Sequence, residues 1–262
     1  MEILVCIKQV PGTTEVEVDE QTGVLKRDGI DSKMNPYDLY ALETAIRMKE
    51  SKDARIGVIS MGPPQAEAII REAYMMGIDH GALLTERKFA GADVLATAYT
   101  VAQGIKKMGI PDIIICGKMT TDGDTAQVGP EIAEFLEMPH VANVLRILEV
   151  KEQSILLEMD MPNSIEIVEV QLPCLITVEK DIFQPRLPSF KLKLATKDRK
   201  ISFYGLKDLE DQNEKNYGLS GSPTQVKRIF PPEVNQNHEI WEGSSMELSH
   251  RLVKKLKELK FA

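Results

Sequence analysis

The chain has 262 residues, with 32 Lys+Arg against 40 Asp+Glu, a formal charge of −8 and 43% hydrophobic residues. Such a composition suits one large globular domain, or one domain with an appendage, and its acidic balance argues against nucleic acid as a partner, because phosphate binding takes concentrated positive charge. The longest apolar runs, such as Ile113-Ile114-Ile115-Cys116, fall far short of the roughly 18 residues of a membrane span, and Met1-Glu2 opens a strand-like run and not a signal peptide, so the expectation is a cytoplasmic protein with no membrane span.

In chain order, Ile3 to Ile7 is a short continuous apolar run, the mark of a strand covered on both faces. Arg55 to Ser60 and Asp112 to Cys116 read the same way, and Ala82-Leu83-Leu84 marks another strand. Between the strands, helical spacing joins Tyr37, Tyr40, Ala41, Thr44, Ala45 and Met48, then Ala66, Ile69, Ile70, Ala73 and Tyr74, then Val94, Ala98, Val101, Ala102, Ile105 and Met108. Strands alternating with helices predict an α/β fold, a doubly wound parallel sheet of Rossmann-like type, over residues 1 to about 140. Beyond it the period changes to alternation over Val144 to Val150, Ser154 to Met159 and Ile165 to Val170, which predicts an antiparallel meander. Pro173 to Val178 reads as one more strand returning to the main sheet.

From Asp181 to about Glu242 no period survives, and 207–239 is too long for an ordinary connection inside a compact domain. The expectation there is an extended arm, disordered or laid across another protein. Ser244-Ser245-Met246-Glu247 has capping-box spacing and opens a final helix striped by Leu248, Leu252, Leu256 and Leu259. Three regions result: 1–180 as the α/β domain with its meander, 181–206 as a segment without a period, and 207–262 as the arm with its helix. Cys6, Cys116 and Cys174 lie in apolar runs and read as buried reduced thiols, while the four scattered histidines suggest no metal site.

In doubly wound sheets ligands sit outside the carboxyl ends of the strands. The segment Gly117-Lys118-Met119-Thr120-Thr121-Asp122-Gly123-Asp124-Thr125-Ala126-Gln127-Val128-Gly129-Pro130 follows one predicted strand and opens a helix. Pro130 places the helix start close by, so the N–H groups of about 123–128 are unclaimed and can meet a phosphate, with small side chains at Gly123, Thr125, Ala126 and Gly129 giving access. An alternative stays open: Asp124 with Gln127 three positions on is an ordinary helix cap that needs no ligand. Asp122 and Asp124 would repel a phosphate unless they face elsewhere. Cys6-Ile7-Lys8, Asn35 before Pro36, and Met61-Gly62-Pro63 end or begin neighbouring elements at the same edge. No G-x-G-x-x-G, no P-loop and no Ser-His-Asp or Cys-His set is present, so a bound ligand would have to bring its own reactivity.

These landmarks stand in the order of a known family. Ile3-Leu4-Val5-Cys6-Ile7-Lys8-Gln9-Val10-Pro11, Met34-Asn35-Pro36-Tyr37, Ser60-Met61-Gly62-Pro63, Gly117-Lys118 followed by Asp122 to Gly129, and Pro185-Arg186 together resemble the β (small) subunit of electron-transfer flavoproteins. The resemblance implies adenine-nucleotide contacts at Cys6, Asn35, Met61 and the 122–129 turn, which with Gly62, Gly117 and Thr121 make the candidate cofactor site. It implies as well an α subunit embraced by the C-terminal arm. Gly123, where the housekeeping type of the family carries an acid, resembles the electron-bifurcating type. That type implies FAD in place of AMP, NADH as transient substrate, and ferredoxin or flavodoxin as low-potential acceptor. It also implies nucleotide binding by the 1–180 domain and a flavin-dependent dehydrogenase docked on region 181–206, in the family through an apolar anchor that falls here on Phe190, where leucine is more usual, beside Lys191 and Lys193. A non-bifurcating subunit holding AMP, and a nucleotide-sensing module of the universal-stress type, are the rival readings.

Overall fold

The computed structural model describes residues 1–12, 32–227 and 238–261, in two units that are treated separately, one ending at Lys227 and one beginning after it. The first unit opens with β1 (Glu2–Cys6), followed by the short antiparallel pair β2 (Gln9–Pro11) and β3 (Ser32–Met34). Then come α1 (Pro36–Ser51), β4 (Arg55–Met61), α2 (Glu67–Met76), β5 (His80–Leu84), α3 (Val94–Met108), β6 (Ile113–Gly117) and α4 (Val128–Phe135). β7 (His140–Val150), β8 (Ser154–Met161) and β9 (Ser164–Gln171) form the meander, and β10 (Cys174–Val178), α5 (Phe190–Ala195) and β11 (Ser202–Tyr204) complete the unit.

The main sheet runs β11-β5-β4-β1-β6-β10-β7-β8-β9, parallel from β11 to β7 and antiparallel through the meander. The alternation inside each apolar run explains why both faces are covered. Ile3, Val5 and Ile7 go to the core under α1 and α2, together with Ile56, Val58, Ile113 and Ile115, whereas Leu4, Ile59, Ile114, Cys116 and Leu175 go to the core under α3 and α4. Each fully buried aliphatic side chain contributes about 1.5–3 kcal/mol relative to exposure, and a run with no polar residue can only be stabilised by burial on both sides. The doubly wound sheet and its meander are therefore as the sequence predicts. β4 and β5 lie on one side of β1, β6 and β10 on the other, so the winding reverses at the carboxyl end of β1.

The sequence places an arm from residue 207 onward, and here the structure differs. Residues 205–224 are folded onto α3, because Leu206, Leu209 and Tyr217 are buried in the same core as Phe89 and Ile105. Tyr217 packs its ring 5.6 Å from Phe89 and 5.5 Å from Tyr99. Polar ties complete the attachment: Tyr99 donates to Asp211 at 2.6 Å, and Asp93, while capping α3, accepts from the Thr224 hydroxyl at 2.7 Å. Of the expected arm, residues 228–237 lie outside the described residues. The docking region likewise has structure of its own, the short helix α5 and the edge strand β11, which pairs with β5.

The second unit contains α6 (Ser245–Glu258), opened by the predicted capping box, in which Ser244 accepts from the Glu247 amide and Glu247 accepts from the Ser244 amide. Met246, Leu252 and Val253 are exposed on it, as are Leu259 and Phe261 just beyond its end, and Leu248 and Leu256 are half-buried. Among the described residues no helix is long and apolar enough to cross a membrane. Replacing Tyr217 with Ala is expected to cost about 3 kcal/mol in chemical denaturation and to expose 205–224 to limited proteolysis. A segment that merely trailed from the domain would show neither effect.

Candidate functional site

The carboxyl ends of β1 and β6 and the start of α1 converge where the winding reverses, and a buried polar knot joins them. Asn35 precedes Pro36 at the first turn of α1, the position from which Asn usually caps a helix, yet its side chain makes no cap bond. It reaches instead to the turn after β6. Its amide nitrogen donates to Asp38 Oδ1 and to the Met119 carbonyl, both at 2.9 Å, and its oxygen accepts from the Thr121 amide at 3.3 Å. Asn35 is wholly buried. With both N–H donors spent on protein, it acts as the scaffold of the turn, a role that sequence alone did not separate from direct ligand contact.

Lys8 closes the other side of the turn. Its backbone amide donates to Asp38 Oδ2 at 2.7 Å, and its ammonium reaches Asp122 Oδ1 and Oδ2 at 2.7 and 2.8 Å. Burial pushes the Asp122 carboxyl up, but the Lys8 ammonium and the Thr120 hydroxyl more than offset this, and the group sits below its ordinary value. Of the two carboxylates that would repel a phosphate, Asp122 is thus neutralised by Lys8, 114 residues away in sequence. Lys118, next to Gly117, pairs with the buried Glu179 at the end of β10, which fixes the root of the turn.

Above this knot the backbone is exposed from Thr121 to Gln127. The amides of Gly123 and Asp124 turn back to the Thr120 carbonyl, at 3.4 and 2.9 Å. Helix α4 begins at Val128, and neither Asp124 nor Gln127 supplies a side-chain cap, so the capping alternative is not what the structure shows. Among the described residues, the amides of Thr125, Ala126, Gln127, Val128 and Gly129 have no hydrogen-bond acceptor. Asp124 and Ala126 both adopt left-handed φ, 51° and 54°. Asp tolerates that region, but Ala pays about 1 kcal/mol for it, so the turn holds a strained shape that leaves its donors outward. Gly129 is required where α4 meets β10, since a Cβ there would lie 2.7 Å from Thr177 Cγ2.

The remaining candidates line the same edge. Cys6 is half-buried opposite Cys116 in the β1–β6 register, and the neighbouring Cys6 thiol together with burial holds the Cys116 thiol well above the usual thiol range. Cys174 is also free and buried. Met61 and Gly62 end β4 half-buried, with the Gly62 amide held by the Leu84 carbonyl at 3.0 Å. Gly117 abuts α1, because a Cβ there would lie 2.6 Å from Asp38 Oδ1. Gly123 stands open, with only Thr120 Oγ1, 3.3 Å away, near the position of a Cβ.

Phe190, Lys191 and Lys193 lie elsewhere, on α5. Leu187, Phe190 and Leu194 are exposed there by 87%, 73% and 63%. Their frame is rigid: the Arg186 guanidinium takes both oxygens of the buried Glu43 at 2.8 and 3.0 Å and also meets Glu50 at 2.9 Å, while the Ser189 amide donates to the Met75 carbonyl at 2.8 Å. Three large apolar side chains presented on an anchored segment beside lysines have the character of a docking surface.

Comparison with known proteins agrees with this arrangement. The electron transfer flavoprotein domain matches residues 22–203. Electron transfer flavoprotein subunit beta of Clostridium acetobutylicum is 43% identical over 258 residues, 98% of each chain. The caffeyl-CoA reductase-Etf complex subunit CarD of Acetobacterium woodii is 41% identical over 260 residues, again 98% of each chain. Protein FixA of Azorhizobium caulinodans is 38% identical over 241 residues, 89% of this chain and 85% of the relative. With matches of this extent at both ends of the molecule and over the turn itself, the chain belongs to the electron transfer flavoprotein family, among its β subunits.

Proposed function

We propose that this chain is the β subunit of a bifurcating electron transfer flavoprotein, holding FAD at the carboxyl edge of its sheet. Membership of the family carries the general role, electron transfer in partnership with an α subunit. The observation that supports the finer reading is the row of five acceptorless amides from Thr125 to Gly129, three of them on exposed residues, beside Gly123, where no side chain blocks approach. A diphosphate would take those N–H groups and gain from the dipole of α4. The residues present fit such a group: Lys8 has already neutralised Asp122, and the strained φ angles at Asp124 and Ala126 fix the donors before any ligand arrives. Gly62 and the half-buried Cys6 and Met61 supply the neighbouring wall.

When bound, FAD would supply hydride acceptance from NADH and one-electron delivery along two routes, to ferredoxin or flavodoxin and, through an α-subunit FAD, to a flavin-dependent dehydrogenase. The protein groups then bind, orient and shield, and no side chain of this chain is assigned a proton-transfer role. Leu187, Phe190 and Leu194, with Lys191, Lys193 and Lys197 around them, would seat that dehydrogenase. The name of one relative, a subunit of a caffeyl-CoA reductase-Etf complex, supports a partner of this kind. The apolar stripe of α6 would clasp the α subunit. The rival within the family is a subunit with AMP in the same cradle, for which the same amides and the same Lys8–Asp122 pair would serve.

Heat denaturation of the purified αβ complex decides between them: two flavins released per pair are expected, and one flavin with AMP would remove bifurcation from the reading. Gly123→Asp is a companion test, because the backbone there does not need a positive φ and a Cβ would press only on Thr120 Oγ1, 3.3 Å away. We expect it to weaken FAD retention by about tenfold, roughly 1.4 kcal/mol, with an unchanged melting temperature; full flavin content would misplace the pocket. Phe190→Ala is expected to weaken dehydrogenase docking by about tenfold, read as a rise in the KM for the partner while flavin content stays constant.

A further inference from the structure

One buried carboxyl takes no part in holding a ligand, although the bonds of the knot lead to it. Asp38 lies in the first turn of α1 and is 5% exposed. Its Oδ2 accepts from the Lys8 amide at 2.7 Å, its Oδ1 accepts from Asn35 Nδ2 at 2.9 Å, and the Gly117 amide faces it as well. Each of those donors controls a different part of the turn. Asn35 carries the Met119 carbonyl and the Thr121 amide, Lys8 carries Asp122, and Gly117 is the last residue of β6 before the turn begins.

Resting on the nucleotide reading, we propose that Asp38 is the positioning residue of the site: its carboxylate sets the shape of the 119–129 turn through Asn35 and Lys8 without touching the ligand. The geometry assigns it the ionised form when the turn is closed. Its neighbours are all donors, and a carboxylate is acceptor-only, whereas a protonated carboxyl would aim an O–H at N–H groups and release at least one of them. The titratable and charged groups facing it are Lys8 from the segment after β1 and Cys116 from β6, which lies beside Cys6; Asp122 stands beyond the Lys8 ammonium. Burial pushes the Asp38 carboxyl up to about 7, while Asn35, Lys8 and Gly117 pull it back. Protonation of this one group near neutral pH would therefore open the turn.

The test uses the αβ complex and FAD as probe, because the diphosphate of FAD has no proton that titrates near neutral pH. Wild-type complex stripped of nucleotide should take two equivalents, one of them about tenfold more weakly at pH 6 than at pH 8, as expected for one group that must be ionised and titrates near 7. Asp38→Asn keeps the size of the side chain but faces N–H groups with an amide. It should weaken the same equivalent at least tenfold at pH 8 and flatten its pH profile, leaving the other equivalent as in wild type. A variant that only loosened the fold would lower affinity while keeping the wild-type slope, and that outcome overturns the proposal. So would a flat wild-type profile, or one that tightens toward pH 6, and neither of these needs the variant to fold. Two equivalents with both unchanged in Asp38→Asn would overturn it and leave the nucleotide reading standing. A single flavin equivalent in wild type, with no AMP found in the complex before stripping, would sink that reading and this one together; where AMP is found, its loss from purified Asp38→Asn supports the proposal and equal AMP content in the two overturns it.

Discussion

The site depends on one arrangement of hydrogen bonds, that of a wholly buried asparagine holding a turn that starts more than eighty residues further along the chain. Burying an unpaired amide costs about 1–3 kcal/mol or more, and Asn35 avoids the cost only because Asp38, Met119 and Thr121 occupy its donors and its acceptor. The bonds are mutual. If the turn moved, Asn35 would be left with unsatisfied groups in the interior, and if Asn35 were lost, Met119, Thr121 and Asp38 would be. A polar network of that kind is favourable when complete and expensive when partial, which gives the turn a single shape.

That single shape is what allows the backbone to be left unpaired elsewhere. An exposed loop would ordinarily fold its amides onto neighbouring carbonyls, yet those from Thr125 to Gly129 find no acceptor among the described residues. Two residues with left-handed φ keep them apart from the preceding carbonyls, and the strain at Ala126 is small beside the bonds that anchor the turn at its base. The arrangement spends conformational freedom in folding and not at the moment of binding, so an anionic ligand meets donors already in place. Lys8 matters for the same reason: with its ammonium on both oxygens of Asp122, no counterion need be displaced when a phosphate approaches.

How much of this could be read from the sequence follows from the range of the interactions. Ile3 to Ile7 and Ile113 to Cys116 declare themselves as central strands because burial on both faces needs no information beyond the run itself, and the helices announce themselves by period. The turn was legible as a strand, a glycine-bearing loop and a helix start. Missed were β2, β3 and β11, three residues each, too short to carry any period. The packing of 205–224 was missed because it rests on Leu206, Leu209 and Tyr217, isolated among polar residues, and on side-chain bonds such as Tyr99 to Asp211. Asn35 was singled out, but as a ligand contact. Nothing local distinguishes an asparagine that caps its own helix from one that reaches across the sheet, and nothing in Lys8 or Asp122 shows that they meet.

The same distinction separates the site from its surroundings in kind. The free donors on the turn are main-chain amides, which any sequence could provide once the path is fixed, so the chemical identity of the side chains from Gly123 to Gly129 bears chiefly on room and access. Identity matters below the surface, at Asn35, Asp38, Lys8 and Gly117, where a change of one atom alters which bonds can form. At α5 the relation reverses: the Arg186–Glu43 pair fixes the frame, and the exposed Leu187, Phe190 and Leu194 carry the identity. On the proposed reading, substitutions on the exposed turn would therefore tune which nucleotide fits and those on α5 which protein docks, while substitutions in the buried knot would decide whether a nucleotide is held at all.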